Sequence, residues 1–109
     1  MADNSHQSRS IIFDAATLLK KAGYECVRVA GSSRMFDLIA WKDGNLLFLV
    51  LKRSRSGISE FTDEVSHLVD LVRTSKVPGK VQFWIYRSPT WNRYQIMPGG
   101  ALPFEGGAV

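Results

Sequence analysis

The sequence contains a single cysteine, Cys26. That excludes an intramolecular disulfide and a zinc cluster, and it sets the expectation of a reducing, cytoplasmic location. Long hydrophobic runs are missing too. The longest unbroken stretch of large apolar residues is 46–51, far below the ~20 residues that cross a bilayer, so no membrane partner is expected. The opening Met1-Ala2-Asp3-Asn4-Ser5-His6 is polar, without a basic run ahead of an apolar one, and no secretory signal is read in it. There is no Gly-Lys-Thr phosphate loop and no dinucleotide fingerprint. His6 and His67 make no ligand set, and no Ser-His-Asp spacing supports nucleophilic catalysis. The residues present are those of an ordinary soluble domain: 45% are hydrophobic and 22% charged, which excludes disorder and collagen-like structure. A length of 109 residues fits one domain with one core.

Charge is distributed unevenly. The chain carries 14 basic and 10 acidic residues, a net +4, and the whole excess falls in residues 26–55. There Arg28, Arg34, Lys42, Lys52, Arg53 and Arg55 face only Asp37 and Asp43. Such a concentration reads either as the footprint of phosphate binding or as a solvated, solubilising surface.

Hydrophobic spacing gives the elements. Ile11, Ile12, Ala15, Leu18, Leu19 and Ala22 recur at helical spacing behind a candidate N-cap, Ser10, and Gly23 closes the helix after Lys20 and Lys21. Strands are expected over residues 24–29 and 36–41. Asp43-Gly44 then forms a hairpin turn into a strand over 45–52 that is apolar on both faces and therefore central. A polar loop leads to a helix starting near Thr62, with Val65, Leu68, Val69 and Val72 as its buried stripe. Strands over 81–86 and 93–97 follow. Residues 1–9 are expected to be a disordered terminus, 10–97 the single domain, and 98–109 a loosely held Gly/Pro-rich tail. The order αβββαββ implies an α/β fold, a mixed sheet flanked by helices, with a right-handed crossover permitted between the third and fourth strands.

With Asp43-Gly44 as a two-residue turn, Ile39 faces Phe48 and Asp37 faces Val50. Val50 and Lys52 project from the same face as Asp37. A carboxylate, its cross-strand neighbour and a lysine thus converge on one patch near Arg53 and Arg55.

These residues carry a resemblance. Tyr24-Glu25-Cys26-Val27-Arg28-Val29-Ala30-Gly31-Ser32, then Phe36-Asp37-Leu38-Ile39-Ala40, then Leu49-Val50-Leu51-Lys52 resemble the archaeal-type Holliday junction resolvases of the PD-(D/E)xK nuclease superfamily, over about residues 10–97. The resemblance implies a restriction-endonuclease-like fold, a two-fold homodimer and DNA as partner. It implies a site in which a helix-one glutamate, a strand aspartate and the Glu of Glu-x-Lys gather a divalent metal while the lysine positions the attacking water. The aspartate falls on Asp37 and the lysine on Lys52, and Ser32 and Ser33 match the family's Gly-Ser loop. The Glu of Glu-x-Lys falls on Val50, the helix-one glutamate at about Ile12, and Phe36 stands where the family has proline.

Magnesium takes oxygen ligands in near-octahedral geometry, and valine offers none. The expectation is a catalytically degenerate nuclease-fold protein, with no cofactor, in which Asp37 and Lys52 pair with each other. It would bind branched or duplex DNA through Arg28, Ser32, Ser33, Arg34, Lys52, Arg53 and Arg55. An alternative is an active magnesium-dependent endonuclease in which Glu60 or Glu64 joins Asp37 as a relocated ligand; Asp14 is rotated about 200° from Ile12 around the helix and is a poor substitute. A third reading is an interaction or structural subunit that binds no nucleic acid. Trp41, Trp84 and Trp91 read first as core or interface packing and second as base-stacking platforms.

Overall fold

The computed structural model describes residues 4–104, with side chains from Ser10 onward. Helix α1 (Asn4–Lys21) is followed by strands β1 (Glu25–Arg28), β2 (Leu38–Lys42) and β3 (Asn45–Arg53). A single 3-10 turn (Ile58–Phe61) leads into helix α2 (Thr62–Arg73), and strands β4 (Lys80–Arg87), β5 (Thr90–Met97) and β6 (Gly100–Phe104) complete the chain. The six strands form one mixed sheet in sequence order. Every neighbouring pair is antiparallel except β3 and β4, which α2 joins as a parallel crossover.

Two expectations about the ends are corrected. Helix α1 reaches back to Asn4, well ahead of Ser10. The apolar stripe begins at Ile11, but no glycine or proline interrupts residues 4–9, so nothing in the backbone stops the helix there. At the other end, residues 100–104 are not a loose tail. Met97 pairs with Gly100, so Pro98-Gly99 is a tight two-residue turn and β6 adds to the sheet. Pro103 is tolerated because β6 is an edge strand, where a missing N–H breaks no ladder. Residues 1–3 and 105–109 lie outside the described residues.

The hairpin register is the expected one: Lys42 pairs with Asn45 and Ile39 with Phe48, with positive φ at both Asp43 and Gly44, as a type I′ turn requires. Strand β3 is buried on both faces. Leu47, Leu49 and Leu51 join Ile11, Ile12, Ala15 and Leu19 of α1 in one cluster, which also holds Trp84. Val50 joins Leu68 of α2 with Val81, Phe83, Ile85 and Ile96 in the other. Because side chains alternate along a strand, the two clusters lie on opposite faces of the sheet.

The helices also divide the sheet along its width. Helix α1 packs against β1, β2 and β3, and α2 against β4, β5 and β6. Helix α2 leaves part of its own face uncovered. On the α2 face of the β1–β3 half, Val27, Trp41 and Leu46 are exposed. Trp84 is fully buried, with its indole N–H donating to Gln82 Oε1 at 2.9 Å, so it offers no face to a base. Trp91 is half-buried and packs against the rings of Trp84 and Tyr86.

Gly79 sets the start of the parallel pair. A Cβ placed there would lie 2.6 Å from the carbonyl oxygen of Leu46 and 2.8 Å from its Cβ, and backbone on both sides leaves neither atom free to yield. Gly79→Ala is therefore expected to destabilise the fold by about 1–3 kcal/mol, read as a lower urea midpoint with an unchanged slope. An unchanged midpoint would show that the chain entering β4 does not approach Leu46 this closely.

Candidate functional site

Asp37 sits one residue ahead of β2, held there by its own backbone: its N–H donates to the Leu49 carbonyl at 2.8 Å and its carbonyl accepts from Val29 at 3.0 Å. The Asp37 N–H thus meets Leu49, which is already the partner of Leu38. The hairpin register therefore ends at the Leu38–Leu49 pair, and the Asp37–Val50 pairing expected from counting is not formed. The carboxylate is engaged through both oxygens. Oδ1 accepts from Arg34 Nε at 2.9 Å and Oδ2 from the backbone N–H of Leu51 at 2.8 Å. Arg34 is itself anchored, with Nη1 donating to the Gly31 carbonyl at 2.7 Å. The guanidinium thus closes the 31–37 loop onto the aspartate.

The expected Asp37–Lys52 ion pair is not present. Lys52 Nζ pairs with Glu64 Oε2 of α2 at 3.0 Å and lies 5.8 Å from the centre of the Phe61 ring. The reason is the placement of α2. Its first turn lands over the α2 face of β3, from which Lys52 projects, while Arg34 has already neutralised Asp37. Glu60, the other acid offered as a relocated ligand, accepts a hydrogen bond from the Ser54 hydroxyl.

Val50 is 2% exposed and belongs to the α2-face cluster. Ile12 is 4% exposed and belongs to the α1-face cluster, while Asp14 points to solvent. Among the described residues, no three Asp, Glu, His or Cys side chains gather in a way that could hold a metal ion. Cys26 is half-buried; burial pushes its thiol pKa up, Lys20 opposing and Glu25 adding to the rise.

The cations expected to contact phosphate share one end of the sheet without forming one cluster. Arg28 ends β1 opposite Leu38, which begins β2, and Lys52 and Arg53 end β3. Arg28 and Arg53 are exposed, Arg34 and Lys52 are tied to carboxylates, and Ser32 and Ser33 are exposed on the turn after Gly31. Arg53 and Arg55 meet Arg87, at the end of β4, which a charge count over residues 26–55 does not reach. A parallel β3–β4 pair was the signal for it, since both strands must then end on the same side.

A carboxylate bonded to main chain acts as a structural tie. Asp37→Ala would leave the Leu51 N–H without its partner, and a buried donor left unmade costs about 1–3 kcal/mol. Arg34→Ala, which removes only the more exposed ion-pair partner, is expected to cost under about 1 kcal/mol. Urea unfolding of both variants checks the order; equal, negligible losses would remove the tie.

No family model matches the chain, and no curated protein sequence does. Among solved structures, the fold is similar to that of Hjc from Archaeoglobus fulgidus, a Holliday junction resolvase from an archaeal hyperthermophile. The TM-score is 0.58 with 23% identity, covering 80% of this chain and 74% of that one. At that identity the likeness establishes a shared architecture: this chain has the same mixed α/β fold as that structure.

Proposed function

We propose that this protein binds duplex or branched DNA on a nuclease scaffold and does not cleave it by a metal-dependent route. The observation that carries the reading is Val50, 2% exposed two residues before Lys52 on β3, where the resembling family has a carboxylate. Magnesium needs several oxygen ligands. Here the remaining acid already serves Arg34 and the Leu51 amide, and a buried isopropyl group disfavours an ion and its hydroxide. This donor set does not fit a divalent cation. The partner assignment rests on the cations along one end of the sheet and on the fold shared with a Holliday junction resolvase. The apolar Val27–Trp41–Leu46 surface, which neither helix covers, makes a two-fold homodimer the expected state.

The reading is tested with a labelled four-way junction and a duplex of the same arms. Both are expected to bind at low salt, with affinity falling linearly on log–log axes by about 0.9 per phosphate neutralised, and neither to be cut in magnesium or manganese. Cleavage that needs metal and disappears in Asp37→Ala would overturn the loss of activity and favour Glu64, beside Lys52, as a relocated ligand. No binding even at low salt would favour a subunit that acts through protein contacts.

Val50→Glu tests the site itself. A carboxylate buried in the α2-face cluster is expected to lower Tm, and manganese is expected to recover part of the loss in the variant while leaving the parent unchanged. If manganese shifts neither protein, a carboxylate at residue 50 does not share an ion with Asp37, and position 50 is not the missing ligand of the site.

A further inference from the structure

The end of the parallel β3–β4 pair carries a feature that the Asp37–Lys52 region does not explain. Three arginines, Arg53, Arg55 and Arg87, line one open depression with Ser54, Ser56, Ser88 and Tyr86, and a single carboxylate, Glu60, is among them. Three guanidiniums against one carboxylate leave a local charge of +2 in a concavity.

The depression is braced from beneath. Buried Ser54 accepts hydrogen bonds from the N–H groups of Ser56 (2.9 Å) and Gly57 (3.2 Å) while its hydroxyl donates to Glu60. One side chain therefore holds the loop, and the carboxylate is turned inward onto it. Arg87 Nη2 donates to the Arg55 carbonyl at 2.8 Å, fixing that guanidinium across the loop. A Cβ on Gly57 would come within 3.7 Å of Arg87 Nη1. Arg53 lies over the Tyr86 ring, 5.2 Å from its centre. A guanidinium has five N–H donors. The one bond Arg87 makes to the loop and the stacking of Arg53 therefore use only part of their donor capacity, at a depression both residues line. Planar, pre-oriented guanidiniums suit the paired oxygens of a phosphate better than a flexible ammonium does. The crevice beyond the carboxyl ends of adjacent parallel strands is also where open α/β sheets place their ligands.

We infer that Arg53, Arg55 and Arg87 form a phosphodiester-binding cradle that takes the DNA backbone, with Arg87 as its fixed point. The inference rests on the DNA-binding reading and deepens it by naming where one backbone phosphate sits.

The experiment compares Arg87→Ala and Arg87→Lys with Lys80→Ala, which removes a cation from the opposite end of β4, using the labelled four-way junction across a salt series. Arg87→Ala is expected to weaken binding at least fivefold at low salt and to make the salt slope shallower by about 0.9, one phosphate contact. Arg87→Lys is expected to keep the slope and lose part of the affinity. Lys80→Ala is expected to change neither. A chain that binds the junction with the same affinity and slope after Arg87→Ala overturns the cradle and leaves the DNA reading standing. A parent protein that binds no junction at any salt overturns the DNA reading itself. A matching Tm for Arg87→Lys and the parent guards against a folding defect.

Discussion

Strand β3 must satisfy neighbours on four sides at once, and that requirement shapes the molecule. Its edges pair with β2 antiparallel and with β4 parallel, while its faces feed two separate clusters, Leu47, Leu49 and Leu51 to α1 and Val50 to α2. A strand so placed cannot slip by one residue without exchanging its two sets of side chains between helices. The Asp43-Gly44 turn fixes one register and Gly79, pressed against Leu46, fixes the other. Everything at the far end of the sheet inherits its position from those two points.

At that far end, electrostatics is settled locally before any partner arrives. Arg34 takes Asp37, Glu64 takes Lys52, and Ser54 takes Glu60. Each acid that a metal would recruit already has a partner from the chain. The carboxylates are spent on neighbours or on the loop, and the surplus positive charge is left on exposed arginines. A surface of this kind carries a positive field at that end of the sheet.

Legibility in the sequence followed the range of the forces involved. The hairpin was readable because Asp-Gly is a local, conformationally specific turn, and its register followed by counting as far as the Leu38–Leu49 pair. The shift at Asp37, whose N–H turns to Leu49, leaves no mark in the spacing. The two-sided burial of β3 was readable from its unbroken apolar run. The Lys52–Glu64 pair was not readable, because it depends on where α2 lands after an eight-residue connection, from Ser54 to Phe61. Strand β6 was missed for another reason: Pro98-Gly99 has the same composition whether it opens a loose tail or a tight turn, and only the pairing of Met97 with Gly100 separates the two. A sum of charge along the chain does not single out Arg87, because parallel pairing brings it beside residues more than thirty positions earlier.

The bond between the Asp37 carboxylate and the Leu51 amide has a consequence for how such motifs are interpreted. An acid that stitches a loop to the central strand helps the chain hold its shape, independently of any chemistry. The presence of such an acid in a sequence is therefore no sign, by itself, of a reaction. The aspartate acts as a hinge pin, fastening the 31–37 loop to the middle of the sheet.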